Sequence, residues 1–526
     1  MRDFQQPNRS LVYAGNGMAA TSHPLGAKVA IDILQAGGNA VDAAIAGALV
    51  LGIAEPQMTG IGGDCFALVC KAGEAPIGLN GSGRAPAGMD ADALRAAGHG
   101  EIPDHTGHAV TVPGALDGFI RLHADHGALG LDAVLAPTIH YAEEGVPVAP
   151  RVAFDWAIAE GRPQGAARHD YLVGGTAPRA GQTFRAPKQA VLLKRVAQVG
   201  RSAFYEGPAA AAMVKALNAA GGAHSLQDFA DNRPDYVDPI RGSYRGTDLV
   251  ELPPNGQGAT AILLARMLEH FDLSALDPRG IERLHLEAEA TKLAYDARNR
   301  FIADPEASAR YLDHMLAPET ADRLAALIDP KRAQSHVAKV SEAVHRDTIY
   351  ITVVDRDRTA VSLIYSIFSS FGAGLSCPET GVLFQNRGRG FNLIPDHPNE
   401  AGPGKRPMHT IIPAMLMQGN ELLMPFGVMG GQYQSCGHVR FASNQLDYGM
   451  DPQAAIEFPR AFAFENTLSV ERGYTDAQRA ALADMGHKVV VPETPIGGAQ
   501  AIRIDSAGGV LIGASDPRKD GCALGY

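Results

Sequence analysis

Asp347-Thr-Ile-Tyr-Ile-Thr-Val-Val-Asp-Arg-Asp-Arg-Thr-Ala-Val-Ser-Leu-Ile-Tyr-Ser-Ile367 decides how this chain is read. Two alternating apolar runs, 347–354 and 359–367, flank the charged Asp355-Arg-Asp-Arg358, the pattern of a β-hairpin. In the first run Thr348, Tyr350 and Thr352 share one face, and Ile349, Ile351 and Val353 share the other. A turn centred on Arg356-Asp357 sets Thr348 opposite Tyr365 and one step from Ser366. A one-residue slip sets it opposite Ser366 itself. Either register leaves a hydroxyl near Thr348 at the open end of the hairpin. On pattern alone, Thr348 is a strand-opening residue of good β-propensity and nothing more.

Working outward, the polar and weakly patterned stretch 331–345 reads as a mobile linker leading into the hairpin. Upstream, 110–300 reads as mostly helical, with loops near 174–181 and 253–258 and an amphipathic helix over 285–300. The first clear unit is a helix pair: 24–36, stopped by Gly37-Gly38, then 40–53, capped by Asn39. After it, Thr59-Gly-Ile-Gly-Gly-Asp64 is a glycine turn entering a buried strand. A dinucleotide loop needs a strand before its glycines and a helix after them, so these glycines serve close backbone approach instead. Downstream of the hairpin, strands are expected at 381–384, 411–417, 422–426, 488–491, 499–504 and 510–515. Helices are expected at 434–446, 452–461 and 476–485. A helix-rich first part followed by a sheet-rich second part implies an α+β, layered fold.

Composition narrows the function classes. With net charge −11 over 526 residues, 46% hydrophobic and 20% charged, the chain is ordinary globular protein and a poor match to a nucleic-acid partner. Five cysteines without CxxC spacing argue for free thiols rather than a disulfide framework or zinc ribbon. No motif calls for a metal or cofactor, so none is expected. The N-terminus lacks an apolar signal core and 40–54 is too short to span a bilayer, so no membrane association and a cytoplasmic location are expected.

Ordered landmarks then add what local pattern cannot. They are Ser22-His-Pro-Leu25, Gly37-Gly-Asn-Ala-Val-Asp-Ala-Ala44, Glu55-Pro56, Gly60-Ile-Gly-Gly63, Ala85-Pro86, Asp304-Pro305, Val353-Val-Asp355, Phe371-Gly372, Lys405-Arg-Pro407, Gly430-Gly431 and Gly513-Ala-Ser-Asp-Pro-Arg518. Over residues 18–526 the chain resembles the γ-glutamyltranspeptidase family of N-terminal nucleophile hydrolases. The resemblance implies a four-layer αββα sandwich with an extra helical region in the N-terminal part. It also implies self-cleavage between Asp347 and Thr348 into a large chain, 1–347, and a small chain, 348–526, which together form one intertwined catalytic unit. The expected partners are thus the two cleaved chains of one heterodimer, with its further dimerisation left open. By the same resemblance Thr348 is the nucleophile, Ser366 the hydroxyl beside it, and Gly430 and Gly431 the oxyanion donors. Chemistry explains the cut: a threonine hydroxyl needs a base, and a new α-amino group of pKa roughly 7.7–8 supplies one on the same residue.

The departures from the family cluster at substrate recognition. Ser82 stands where the family carries the arginine that grips a substrate carboxylate, and Arg84 is shifted by two residues. The acidic pair that binds an ammonium is replaced by Gln385-Asn-Arg-Gly-Arg-Gly-Phe391, bringing Asn386, Arg387 and Arg389. An asparagine becomes Phe368, and paired serines become His409-Thr410. An ammonium site has thus become an anion site. This variant resembles the branch holding oxamate amidohydrolases and cephalosporin-acylase-like proteins. The expected activity is hydrolysis of a small acidic amide, oxamate to oxalate and ammonia. The alternatives are glutathione hydrolase or γ-glutamyltransferase activity, and a non-catalytic binding paralogue.

Overall fold

Two seven-stranded antiparallel sheets stacked face to face form the centre of the molecule. The computed structural model describes residue 5, residues 8–334 and residues 348–526. The expected linker over 331–345 falls outside them from 335 onward, as does Asp347. One sheet runs Cys522–Gly525, Met18–Thr21, Ile349–Val354, Ala360–Ser366, Asp64–Cys70, Ile77–Gly81, Asp235–Val237. The other runs Val12–Ala14, Val510–Ser515, Gly498–Asp505, Glu421–Met429, Ala414–Gln418, Thr247–Glu251, Ile240–Tyr244. Each sheet combines strands from both sides of position 348.

Alternation in the hairpin distributes its side chains between two cores. Tyr350, Val354, Ala360 and Ile364 pack between the sheets with Met415, Met429 and Ile502. Ile349, Ile351, Val353, Leu363 and Tyr365 face outward onto helix Ala40–Ala54. That helix is apolar all round and fully buried, as its composition requires. Its Gly47 lies so close to the sheet that a Cβ there would meet Ile351 Cδ1 at 2.5 Å. On the far side, helices Gly258–Leu268 and Gln434–Leu446 cover the second sheet, with Ile281–Phe301 packed against the first of them, completing a helix–sheet–sheet–helix sandwich.

Asp355 ties the hairpin to the helical layer. Its carboxylate accepts from the turn amides of Asp357 (3.0 Å) and Thr359 (2.9 Å), and from the amide of Ala40 (3.0 Å), the first residue of the buried helix. Asp355→Ala strips three backbone donors of their acceptor. It is expected to destabilise the protein by about 2–4 kcal/mol, read from denaturant unfolding.

Several expectations needed correction. The turn has three residues, Arg356 to Arg358, with Arg358 at φ 63, so the register is one step from that of a turn centred on Arg356-Asp357. Residues 235–251 hold three strands inside a region read as helical. Helix 452–461 stops at Glu457, and Ala461–Phe464 is a strand instead, because Phe458-Pro459 breaks the helix. Near 381–384 only an isolated Ser376–Leu383 bridge forms, and 411–413 precede rather than join their strand. The 488–491 strand shrinks to Val489–Val490, in a small separate sheet.

Candidate active site

The observed register pairs Ile349 with Tyr365, which brings Thr348 and Ser366 opposite each other at the hairpin's open end. The Thr348 hydroxyl donates to Ser366 Oγ across 3.4 Å, and both residues are buried. Ser366 Oγ also accepts from the Phe368 amide (2.9 Å) and from Arg387 Nη2 (3.4 Å). Phe368 has φ 80, a backbone conformation rarely adopted by an aromatic residue, and its ring lies 4.1 Å from the Arg387 guanidinium.

Arg387 sits under this strand end with two distinct edges. Its Nη1 donates to Thr410 Oγ1 (3.2 Å) and its Nη2 to Ser366, while its Nε side lies 3.8 Å from Asp64 Oδ2. Burial pushes the guanidinium down to about 9, with Asp64 opposing, so it stays charged at neutral pH. Asp64, the first residue of its strand, is a hub. Oδ1 accepts from the Gly83 amide (2.8 Å), the Gly114 amide (3.3 Å) and Gln385 Nε2 (3.1 Å), and Oδ2 lies 3.3 Å from His409 Nε2. Gly62 and Gly63 make this approach possible, since a Cβ on Gly63 would stand 2.3 Å from Ser366 O and one on Gly62 2.0 Å from Leu383 O.

His409 is a support for Asp64. Its Nδ1 lies 3.4 Å from the Ile411 amide that donates to it, so Nε2–H points at the carboxylate. Burial, with Arg387 adding, holds the imidazole down to about 3, hence neutral. Burial likewise lowers His23 and His224 to about 4. The unfolded chain binds protons at these imidazoles near pH 6.5 and the folded chain does not. Their stabilising share is therefore complete above pH 6.5 and is lost as pH falls toward 4. The melting temperature is expected to drop across that window, with a smaller slope in His409→Gln.

The other predicted residues divide. Asn386 bonds Asp104 (3.0 Å) and Ser369, fixing the loop after Phe368. Arg389 is turned away from Thr348 and pairs with Asp104 (3.2 Å) and Glu101 (3.4 Å). Arg84 is also turned outward, at 42% side-chain exposure, onto Asp235 and the Gly404 carbonyl, so the two-residue shift does not carry its charge into the cluster. Ser82 is buried and accepts from Asn255, apart from the guanidinium of Arg387. Asp64 and Gln257 were missed. A carboxylate opening an otherwise apolar strand was the available signal for Asp64. Gln257 in its loop gave none.

Gly430 and Gly431 follow strand Glu421–Met429 and lead through a short turn into helix Gln434–Leu446. Their φ values, 126 and 56, suit glycine alone. Gly427 lies against the Tyr350 ring and Ser362 bonds Phe426 O, so increasing number in this strand runs toward the Thr348 end of the hairpin. Gln257 Nε2 links the two halves, donating to Thr410 O (2.6 Å) and Gly431 O (3.3 Å). The result is a hydroxyl pair at a strand end with a cation beside it, tied through Thr410 and Gln257 to a glycine pair that leads into a helix.

Away from this cluster, His285, Glu289 and His487 lie within metal-binding reach of one another. These atoms already satisfy each other: His285 Nδ1 is 2.8 Å from His487 Nε2, its Nε2 donates to Asp329 O, and Glu289 pairs with Lys292 at 2.6 Å. Among the described residues no helix is long and apolar enough to cross a membrane.

Comparison with known proteins gives one pattern. The family model described as Gamma-glutamyltranspeptidase matches residues 26–526. The chain is 34% identical to the glutathione hydrolase-like YwrD proenzyme of Bacillus subtilis, covering 97% of this chain and 98% of the relative. It is 33% identical to the oxamate amidohydrolase proenzyme of Klebsiella pneumoniae, with the same coverage. The solved structure of cephalosporin acylase from Bacillus halodurans superposes with a TM-score of 0.93 at 37% identity, covering 100% of this chain and 99% of that one.

Proposed function

The chain belongs to the γ-glutamyltranspeptidase family, as a self-cleaving amidohydrolase of the N-terminal-nucleophile fold, and from that premise we propose that Thr348 is its nucleophile and a small carboxylate-bearing amide, such as oxamate, its substrate. In the precursor the Thr348 hydroxyl attacks the Asp347 carbonyl, the Asp347–Thr348 C–N bond breaks to give an ester and the free Thr348 amine, and hydrolysis of that ester separates the chains and restores the hydroxyl. In turnover that amine takes the hydroxyl proton as Thr348 attacks the substrate carbonyl, then passes it to the departing nitrogen. The Gly430 and Gly431 amides hold the oxyanion, a donor worth about 3–4 kcal/mol when removed. Water then resolves the acyl-enzyme.

One observation carries the substrate reading: Arg387 reaches Ser366, and Ser366 reaches Thr348, each across 3.4 Å. A carboxylate that takes the Nη edge of Arg387 lies immediately beside the carbonyl that Thr348 attacks. This suits an acyl group as short as that of oxamate. A γ-glutamyl group is longer and brings an ammonium, and the loop at 385–391 offers it no acidic side chain. Ammonia release from oxamate is compared with glutamate release from glutathione. The reading expects the larger kcat/KM for oxamate, and a clear preference for glutathione would overturn it.

A further inference from the structure

Beside Gly430 lies a cavity of about 300 Å³, lined by Gly430, Tyr433, Phe462, Phe464, Thr467 and Ile496 among others. Its aromatic wall is built on the hairpin Ala461–Phe464 and Thr467–Val470, closed by Glu465 and Asn466, both with positive φ. Alternation splits this hairpin's side chains. Ala461, Ala463, Leu468 and Val470 are buried against helix Ile281–Phe301. Phe462 and Phe464 face the other way, half-buried and stacked at 5.5 Å with an interplanar angle of 12°. Tyr433 meets Phe462 edge-on at 5.5 Å, and Tyr295 meets both phenylalanines. Two stacked phenylalanines left partly open beside Gly430 form a preset aromatic surface. Among the described residues of the lining, Glu465 is the one charged side chain.

We propose that this cavity is the leaving-group subsite, taking a flat, uncharged or cationic aromatic amine, so that the preferred substrate is an N-aryl amide. The inference rests on Thr348 and Gly430 acting as described above. With the acyl carboxylate held toward Arg387, the substrate nitrogen projects past Gly430, where the cavity opens. The reaction balances as an ordinary hydrolysis. The C–N bond breaks as the Thr348 ester forms, the arylamine leaves with the proton relayed from the Thr348 hydroxyl, and water then cleaves the ester, its OH completing the acid and its other proton restoring Thr348. An acidic leaving group, such as a dipeptide ending in carboxylate, would meet apolar rings and Glu465.

The test has two arms, both on the mature cleaved enzyme. In the turnover arm, kcat/KM for N-phenyloxamate is compared with that for oxamate in the wild type and in Thr467→Trp, which fills the cavity. A preference of about 10-fold or more for the aryl amide, falling toward unity in Thr467→Trp, is expected. Equal turnover, or a preference that survives the substitution, overturns the subsite. In the binding arm, saturation-transfer NMR follows aniline on the wild type, Thr467→Trp and Ser469→Trp. Signal in the wild type lost in both variants supports the subsite, and no signal, or signal unchanged in both, overturns it. If neither amide is hydrolysed, the binding arm still decides the cavity, and the failure falls on the Thr348 and Arg387 assignment alone.

Discussion

Thr348→Ala is expected to yield a single uncut chain of 55.3 kDa, with amide hydrolysis reduced by about 10⁵-fold or more. The size of the effect follows from one hydroxyl serving two reactions. Without it the Asp347 carbonyl meets no nucleophile, the α-amine is never freed, and neither base nor nucleophile is in place for turnover. Thr348→Ser keeps the hydroxyl and is expected to cleave and to retain measurable activity. Ser366→Ala leaves the nucleophile in place but removes the hydroxyl that meets Thr348, the Phe368 amide and Arg387, and is expected to slow both steps by roughly 10-fold. A denaturing gel and an amidase assay on the same preparations separate the two steps.

Arg387→Met is expected to lower kcat/KM for oxamate by about 10²- to 10³-fold, the usual cost of losing a charge-assisted contact with a carboxylate. It also leaves Asp64 buried without its cation, so stability falls as well. Arg387→Lys distinguishes the two effects. It keeps the charge but loses the two-pronged edge that faces Ser366 and Thr410, so KM rises more than kcat falls while cleavage proceeds. Arg389→Ala serves as the contrast, expected to stay within about twofold of wild type, because its guanidinium is committed to Asp104 and Glu101.

How much of this was legible beforehand depended on the range of the interaction that decided each feature. The hairpin was legible because period-two alternation is local, and so was the buried helix 40–54, capped by Asn39 and Asp42. The register was not, because a turn of three residues and one of two are separated only by whether Arg358 adopts positive φ. Strands Asp235–Val237, Ile240–Tyr244 and Thr247–Glu251 were hidden because all three carry Asp, Arg or Gly, and pairing with other strands settles them. At the site, family order placed Thr348, Ser366 and the glycines. Direction was the missing information: Arg84, Arg387 and Arg389 look alike in sequence. Only packing turns Arg387 inward beneath Phe368 and the other two onto surface carboxylates. Asp64 went unnoticed as a hub because its five contacts come from four separate segments of chain.

The central claim is that Thr348 becomes a chain terminus and then the nucleophile. Intact-mass analysis with N-terminal sequencing of active, purified protein tests it most directly. The account predicts two chains, the smaller beginning Thr348-Ile-Tyr-Ile351. A fully active enzyme that remains one chain, or whose small chain begins at any other residue, would contradict it.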